Sequence, residues 1–170
     1  METDRAKQQP ETAYFMDDGT IPNSRYAVLV YRSAFVEPTA EKVENHFASL
    51  NWTNSWRNGI YPFHHYHSTS HEVLGVYSGS AEVRLGGEKG RDFQVKAGDV
   101  IVIPAGVGHK NLGSSGDFGV VGAYPDGRSW DLLTGKAGER PKADYNIAQL
   151  PVPATDPATG TKGKLRALWV

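Results

Sequence analysis

The chain contains no cysteine, which excludes disulfides, thiolate nucleophiles and sulfur-ligated metal sites. Any metal site must therefore be built from nitrogen and oxygen ligands. Long apolar runs are missing as well. No stretch approaches the roughly 20 residues that a membrane-spanning helix needs, and the opening METDRAKQQPETAYF has no apolar signal core. These features predict a cytoplasmic protein without a membrane partner. Excess charge of one sign is also lacking. Lys and Arg number 18 against 19 Asp and Glu, so no overall field draws the protein onto nucleic acid. No internal repeat is visible, which argues for one module rather than two copies.

What is present points to β structure. In 170 residues there are 19 Gly and 10 Pro, a composition that favours many turns over long helices and a single all-β core. Residues 1–12 are polar. TAYFMDDGTIPNSRYAVLVYRSAF then reads as a strand-like arm with turns at Asp18-Gly19 and Pro22-Asn23. One amphipathic helix is predicted from Ala40 to about Leu50, with Thr39 as N-cap, Glu41 in the first turn and Val43, Phe47 and Leu50 on one face. From about Arg57 the period becomes two. Ala81, Val83 and Leu85 alternate with polar residues before the GGEKG turn, with Phe93 and Val95 facing them across a hairpin. Val100 to Ile103 and Phe118 to Tyr124 supply further strands. Beyond Asp126 the chain carries Pro141, Pro151, Pro153 and Pro157 and reads as irregular, although its apolar end LRALWV is expected to dock.

Chemistry concentrates in FHHYHSTSHE, where His64, His65, His67 and His71 fall within eight residues. On an extended chain alternate side chains share a face, so His65 and His67 point one way, while His64 and Tyr66 point the other. Two imidazoles at i and i+2 make a bidentate site. Further ligands are available in His71 or Glu72 after the Ser68-Thr69-Ser70 turn, and in His109 after the tight Pro104-Ala105-Gly106-Val107-Gly108 loop.

At fixed spacing these residues resemble the cupins, small antiparallel β-barrels. GIYPFHHYHSTSHEVLGVYSG matches the first cupin motif at Gly59, His65, His67, Glu72 and Gly79. GDVIVIPAGVGHKNLG matches the second at Gly98, Pro104, Gly106 and His109, with Gly113 standing where Asn is expected. Asn111, of the same strand parity, is the residue expected to supply a polar group to the cavity instead.

The resemblance implies a double-stranded β-helix, or jelly-roll barrel, over residues 52–126. An arm at 1–38 and a helix at 39–51 precede it, and an irregular extension at 127–170 packs on it. It further implies one divalent transition metal ion (Fe, Mn, Ni, Zn or Cu) held by His65, His67, Glu72 and His109, and a homodimer involving residues 13–35. A three-residue gap would place His71 rather than Glu72 as the fourth ligand. Strand parity allows only one of them, and the family usually has an acid there. Tyr61, Phe63, Leu74 and Val76 are expected on the inner wall, and His71, Asp126 and Arg128 as candidate acid–base or substrate-binding groups, with Asp131 beside them.

Three neutral imidazoles and one carboxylate leave a divalent ion with a formal charge of +1, which favours small anionic or enolisable substrates. Such a chain is expected to be a metal-dependent small-molecule enzyme, oxygenase-like in the first instance. An isomerase or epimerase, or a non-catalytic sensing module, is the alternative.

Overall fold

In a computed structural model, which describes residues 8–161 and 163–170, the chain folds into two antiparallel sheets with three helices among the described residues. The strands are β1 (Glu11–Phe15), β2 (Ser24–Tyr31), β3 (Trp52–Asn58), β4 (Glu72–Ser78), β5 (Ser80–Leu85), β6 (Arg91–Lys96), β7 (Val100–Ile103), β8 (His109–Ser114) and β9 (Gly119–Pro125). The helices are α1 (Ala40–Ser49), α2 (Lys142–Gln149) and α3 (Leu165–Leu168). A six-stranded sheet has the order β1-β2-β7-β4-β9-β3, and a three-stranded sheet the order β6-β5-β8. This is the expected antiparallel jelly-roll barrel.

The central strands of the large sheet, β2, β7, β4 and β9, are buried on both faces over most of their length, and that explains their sequence. Along β2 the residues Val28 and Val30 point into the barrel, where they meet Val83, Leu85, Phe93 and Val95 of the small sheet. Ala27, Leu29 and Tyr31 point outward into a second core with Val43 and Phe47 of α1 and with Leu165 and Trp169 of the C-terminal segment. The same parity sends Ile101 and Ile103 of β7 inward and Val100 and Val102 outward. A strand with apolar cover on both sides has no reason to alternate, so AVLVY and VIVI read as unbroken apolar runs.

Helix α1 begins where its cap signal places it, with the Thr39 hydroxyl accepting from Lys42 N at 3.1 Å. It lies close against β4. A Cβ on Gly75 would meet Val43 Cγ1 at 2.5 Å and Phe47 Cζ at 2.8 Å, so only glycine permits that approach. The small sheet pairs as its alternation implies, Ala81 with Val95 and Val83 with Phe93.

One expectation needs correction, and two boundaries are sharpened. The strand-like arm starts one residue earlier than Thr12, since Glu11 and Thr12 open β1 and pair with Val30 and Leu29; residues 1–7 lie outside the described residues. The period of two is visible only from about Arg57, but β3 begins at Trp52, where it pairs with Pro125 of β9. The C-terminal extension is not wholly irregular. Pro141 precedes α2, where a missing N–H costs nothing because the first turn has no acceptor for it, and α2 buries Ala143 against Ile21 and Tyr66. The apolar end does dock, through Leu165 and Trp169. None of the described helices is long and apolar enough to cross a membrane.

Candidate metal centre

His65 and His67 lie in the segment between β3 and β4, and His109 opens β8. The segments are tied by a two-bond bridge, His65 N to His109 O at 3.2 Å and His109 N to His65 O at 2.9 Å. The backbone pairing therefore holds the two imidazoles side by side, with ring centroids 3.9 Å apart. His67 follows at the next inward position. One ring nitrogen from each of His65, His67 and His109 can be chosen so that all three lie within 4.8 Å of one another, and all three residues are buried.

The hydrogen bonds decide which nitrogen faces the centre. Nδ1 of His65 meets the Phe63 carbonyl at 3.0 Å, Nδ1 of His109 the Val107 carbonyl at 3.1 Å, and Nδ1 of His67 the Asp131 carbonyl. A carbonyl only accepts, so each Nδ1 carries the proton and each Nε2 turns a bare lone pair toward the centre. Glu72, at the start of β4 and 2% exposed, closes the group: Oε1 lies 3.2 Å from His109 Nε2, and Oε2 lies 3.4 Å from His67 Nε2. His109 Nε2 has no hydrogen-bond donor and no water-exposed surface. Bare nitrogens packed against a buried carboxylate repel one another unless a proton or a cation lies between them.

The electrostatics follow from this crowding. Burial, and next the neighbouring His109, push the His65 imidazole down to about 3, so it stays neutral and available as a ligand. His67 suffers the same burial, but the Glu72 charge outweighs it and raises the proton affinity of the ring. Burial likewise opposes ionisation of Glu72, yet in the ion-free site a proton held on the His67 or His109 nitrogen facing it keeps its carboxyl well below the usual carboxylate range, as a cation in that place would. The residues thus fit a divalent cation: three oriented nitrogen donors and an ionised oxygen donor, all shielded from water.

The centre lines a cavity of about 280 Å³, and the aromatic side chains Trp56, Tyr61, Tyr124 and Trp130 form part of its wall. Tyr61 and Leu74 take the wall positions expected of them. Val76 instead packs deeper in the barrel core, and Phe63 stacks on Tyr61 outside the lining at 41% exposure.

Other expected residues stand elsewhere. His71, one residue before Glu72, faces the outer side of the sheet as parity dictates. There its Nδ1 accepts from Ala105 N at 2.9 Å and its ring packs 4.9 Å from Trp169. It borders a different cleft, beside Tyr26 and α2, and has no access to the centre. Asp126 sits in the turn after β9 at φ +56°, with its carboxylate on Asn51, and Arg128 reaches the Thr69 carbonyl at 3.4 Å; neither lines the cavity. Asp131 has a structural role. Its carboxylate accepts from Ser68 N at 2.6 Å, from Ser68 Oγ and from Thr69 N, which fixes the turn carrying His67. Asn111 does not substitute for the missing motif asparagine either. The register skips at Leu112, since Glu82 pairs with Gly113 and Val83 with Asn111, and the Asn111 side chain turns onto Gly113 N and Ser114 Oγ. His64 faces away from the centre and meets Glu88 Oε2 at 3.0 Å.

The position of His71 has a consequence for pH. Burial pushes its imidazole down from 6.5 to about 4, the Pro151 carbonyl offsetting only part of the effect. As pH falls, the unfolded chain takes up this proton first. The contribution of a neutral His71 is therefore fully present above pH 6.5 and is lost as pH falls toward 4, on the order of 3 kcal/mol in all. In chemical denaturation of the metal-free protein at pH 7 and pH 4.5, His71→Leu is expected to lose less stability between the two pH values than the wild type. An equal loss in both would show that this ring does not carry the effect.

Sequence comparison agrees with this geometry. A family model for the cupin domain matches residues 58–117, from the end of β3 to the turn before β9. The uncharacterized protein YjlB of Bacillus subtilis (strain 168) is 45% identical over 166 residues, covering 96% of this chain and 99% of that protein. Among solved structures, procruciferin from Brassica napus is similar at 18% identity and a TM-score of 0.39, over 65% of this chain and 23% of its own. A Bacillus subtilis oxalate decarboxylase studied for its Mn(II) centres is similar at 20% identity and a TM-score of 0.39, over 87% of this chain and 33% of its own. With a full-length relative at 45% identity and both motifs folded onto one buried centre, the chain belongs to the cupin superfamily.

Proposed function

We propose that the protein is a metal-dependent enzyme, oxygenase-like, acting on a small anionic or enolisable molecule. The observation that carries this reading is the convergence of His65, His67 and His109 beside Glu72 in the lining of a cavity of about 280 Å³. A divalent transition ion bound by these residues would supply Lewis acidity toward substrate oxygens and, if redox-active, electron transfer to dioxygen. The chain's own residues do the rest. The Phe63, Val107 and Asp131 carbonyls keep the three imidazoles in the ligating tautomer. Trp130, stacked on Tyr124 with centroids 5.6 Å apart, and Tyr61 narrow the mouth and exclude water from the centre. The cavity volume suits a molecule of few heavy atoms rather than a polymer.

The test is oxygen consumption by the Fe(II)- or Mn(II)-loaded protein against a panel of hydroxy acids, keto acids and enediols. Substrate-dependent uptake of oxygen that disappears in His65→Ala is the expected result. Equal turnover under argon would replace the oxygenase reading with an isomerase or epimerase. Ligand binding without any product would replace it with a sensing module.

A further inference from the structure

We infer that Tyr124 is a positioning residue that dictates which oxygen of Glu72 is presented to the metal site, and that Trp56 and Gly122 serve to aim it. The inference rests on the reading of the site as a metal centre, not on any particular reaction.

Tyr124 is fully buried on β9, and its side chain enters the barrel. Its Oη lies 2.8 Å from Glu72 Oε2 and 2.6 Å from Trp56 Nε1. An indole N–H can only donate, and an ionised carboxylate can only accept. The phenol oxygen must therefore accept from Trp56, and its single proton has one place to go, Glu72 Oε2. With Oε2 engaged, Oε1, 3.2 Å from His109 Nε2, is the oxygen left for an ion.

The arrangement of Trp56 is specific to this contact. The β3–β9 register skips between Thr53 and Trp56, and Asn54 within the skip has φ +57°, so an extra residue bulges out of β3. The bulge sets Trp56 opposite Gly122. A Cβ on residue 122 would meet indole Cε2 and Cζ2 at 2.3 Å, so glycine is what lets the ring lie across β9 and reach Tyr124. Ordinary aromatic packing would need neither the bulge nor the glycine, and would not turn the N–H onto the phenol oxygen.

The experiment is a Co(II) titration followed by visible absorption, on wild type, Tyr124→Phe and Trp56→Phe, with thermal unfolding of each metal-free form. The wild type is expected to bind one Co(II) per chain. Tyr124→Phe keeps the ring and loses the hydroxyl; its Co(II) affinity should fall roughly 10–100-fold, the usual effect of removing a partner that orients a ligand, and its visible band should change. Trp56→Phe should move both readouts in the same direction by less, and it decides the matter if Tyr124→Phe does not fold. A purely structural role would lower the melting temperature while leaving the band and affinity unchanged, and that result overturns the inference. A wild type that binds no Co(II) rejects the metal centre itself, and the inference falls with it.

Discussion

Replacing His65 and His109 together by alanine is expected to reduce bound metal from one ion per chain to background while the fold survives. Two of the three convergent Nε2 atoms disappear, leaving His67 and Glu72, too few donors to compete with water for a divalent ion. The fold should persist because the segments are joined by backbone groups: the bridge between residues 65 and 109 does not use either side chain. The lost Nδ1 bonds are local too, each made to a carbonyl two residues earlier, Phe63 for His65 and Val107 for His109. Elemental analysis by mass spectrometry, with far-ultraviolet circular dichroism as the fold control, checks both halves. Retention of a full equivalent of metal in the double variant would place the ion elsewhere.

The second large effect is on stability. Trp169→Ala should cost about 3–5 kcal/mol, the range for truncating a buried tryptophan, measured as a shift in the urea midpoint at unchanged slope. Trp169 is 1% exposed, stacks on Tyr26 with centroids 5.3 Å apart and planes 4° from parallel, and donates from Nε1 to the Ala27 carbonyl at 2.8 Å. Its removal leaves a void in the outer core and takes a donor from the Ala27 carbonyl of β2. Metal uptake should be unaffected under conditions where the variant is folded, because Trp169 and the metal centre lie on opposite faces of the large sheet. Loss of metal binding in a folded Trp169→Ala protein would show that the two faces are coupled.

The difference between those faces also explains what could be read from the sequence. The motif histidines were legible because metal ligation needs particular residue types at spacings set by strand geometry, and His65, His67, Glu72 and His109 do converge. Parity allows only one of Glu72 and His71 to ligate, the resemblance favours the acid, and the structure puts His71 with Trp169. Helix α1 was legible because its cap and apolar face are local signals.

What was not legible depends on non-local pairing. The role of Asn111 was misread because a bulge at Leu112 changes its neighbours, and no local residue type announces that bulge. Tyr124 shares the inward parity of Val120 and could have been placed in the barrel, but its bond to Glu72 could not. Trp130 and Asp131 lie in a loop after the last strand, where no period exists to orient them. Only the three-dimensional return of that loop to Ser68 and Thr69 shows that one walls the cavity and the other anchors His67. Asp126 and Arg128 come from the same loop, and there an exposed charge proved to be a turn feature.

One ion is expected among His65, His67 and His109, with Glu72 beside it. Crystals of the protein loaded with Mn(II) or Zn(II), measured at the absorption edge of that metal, test it most directly. A single anomalous peak per chain is expected at bonding distance, about 2.0–2.3 Å, from all three Nε2 atoms, with Glu72 Oε1 turned toward it. A strong peak at another site, or a fully loaded protein with His71 as a ligand, would contradict it.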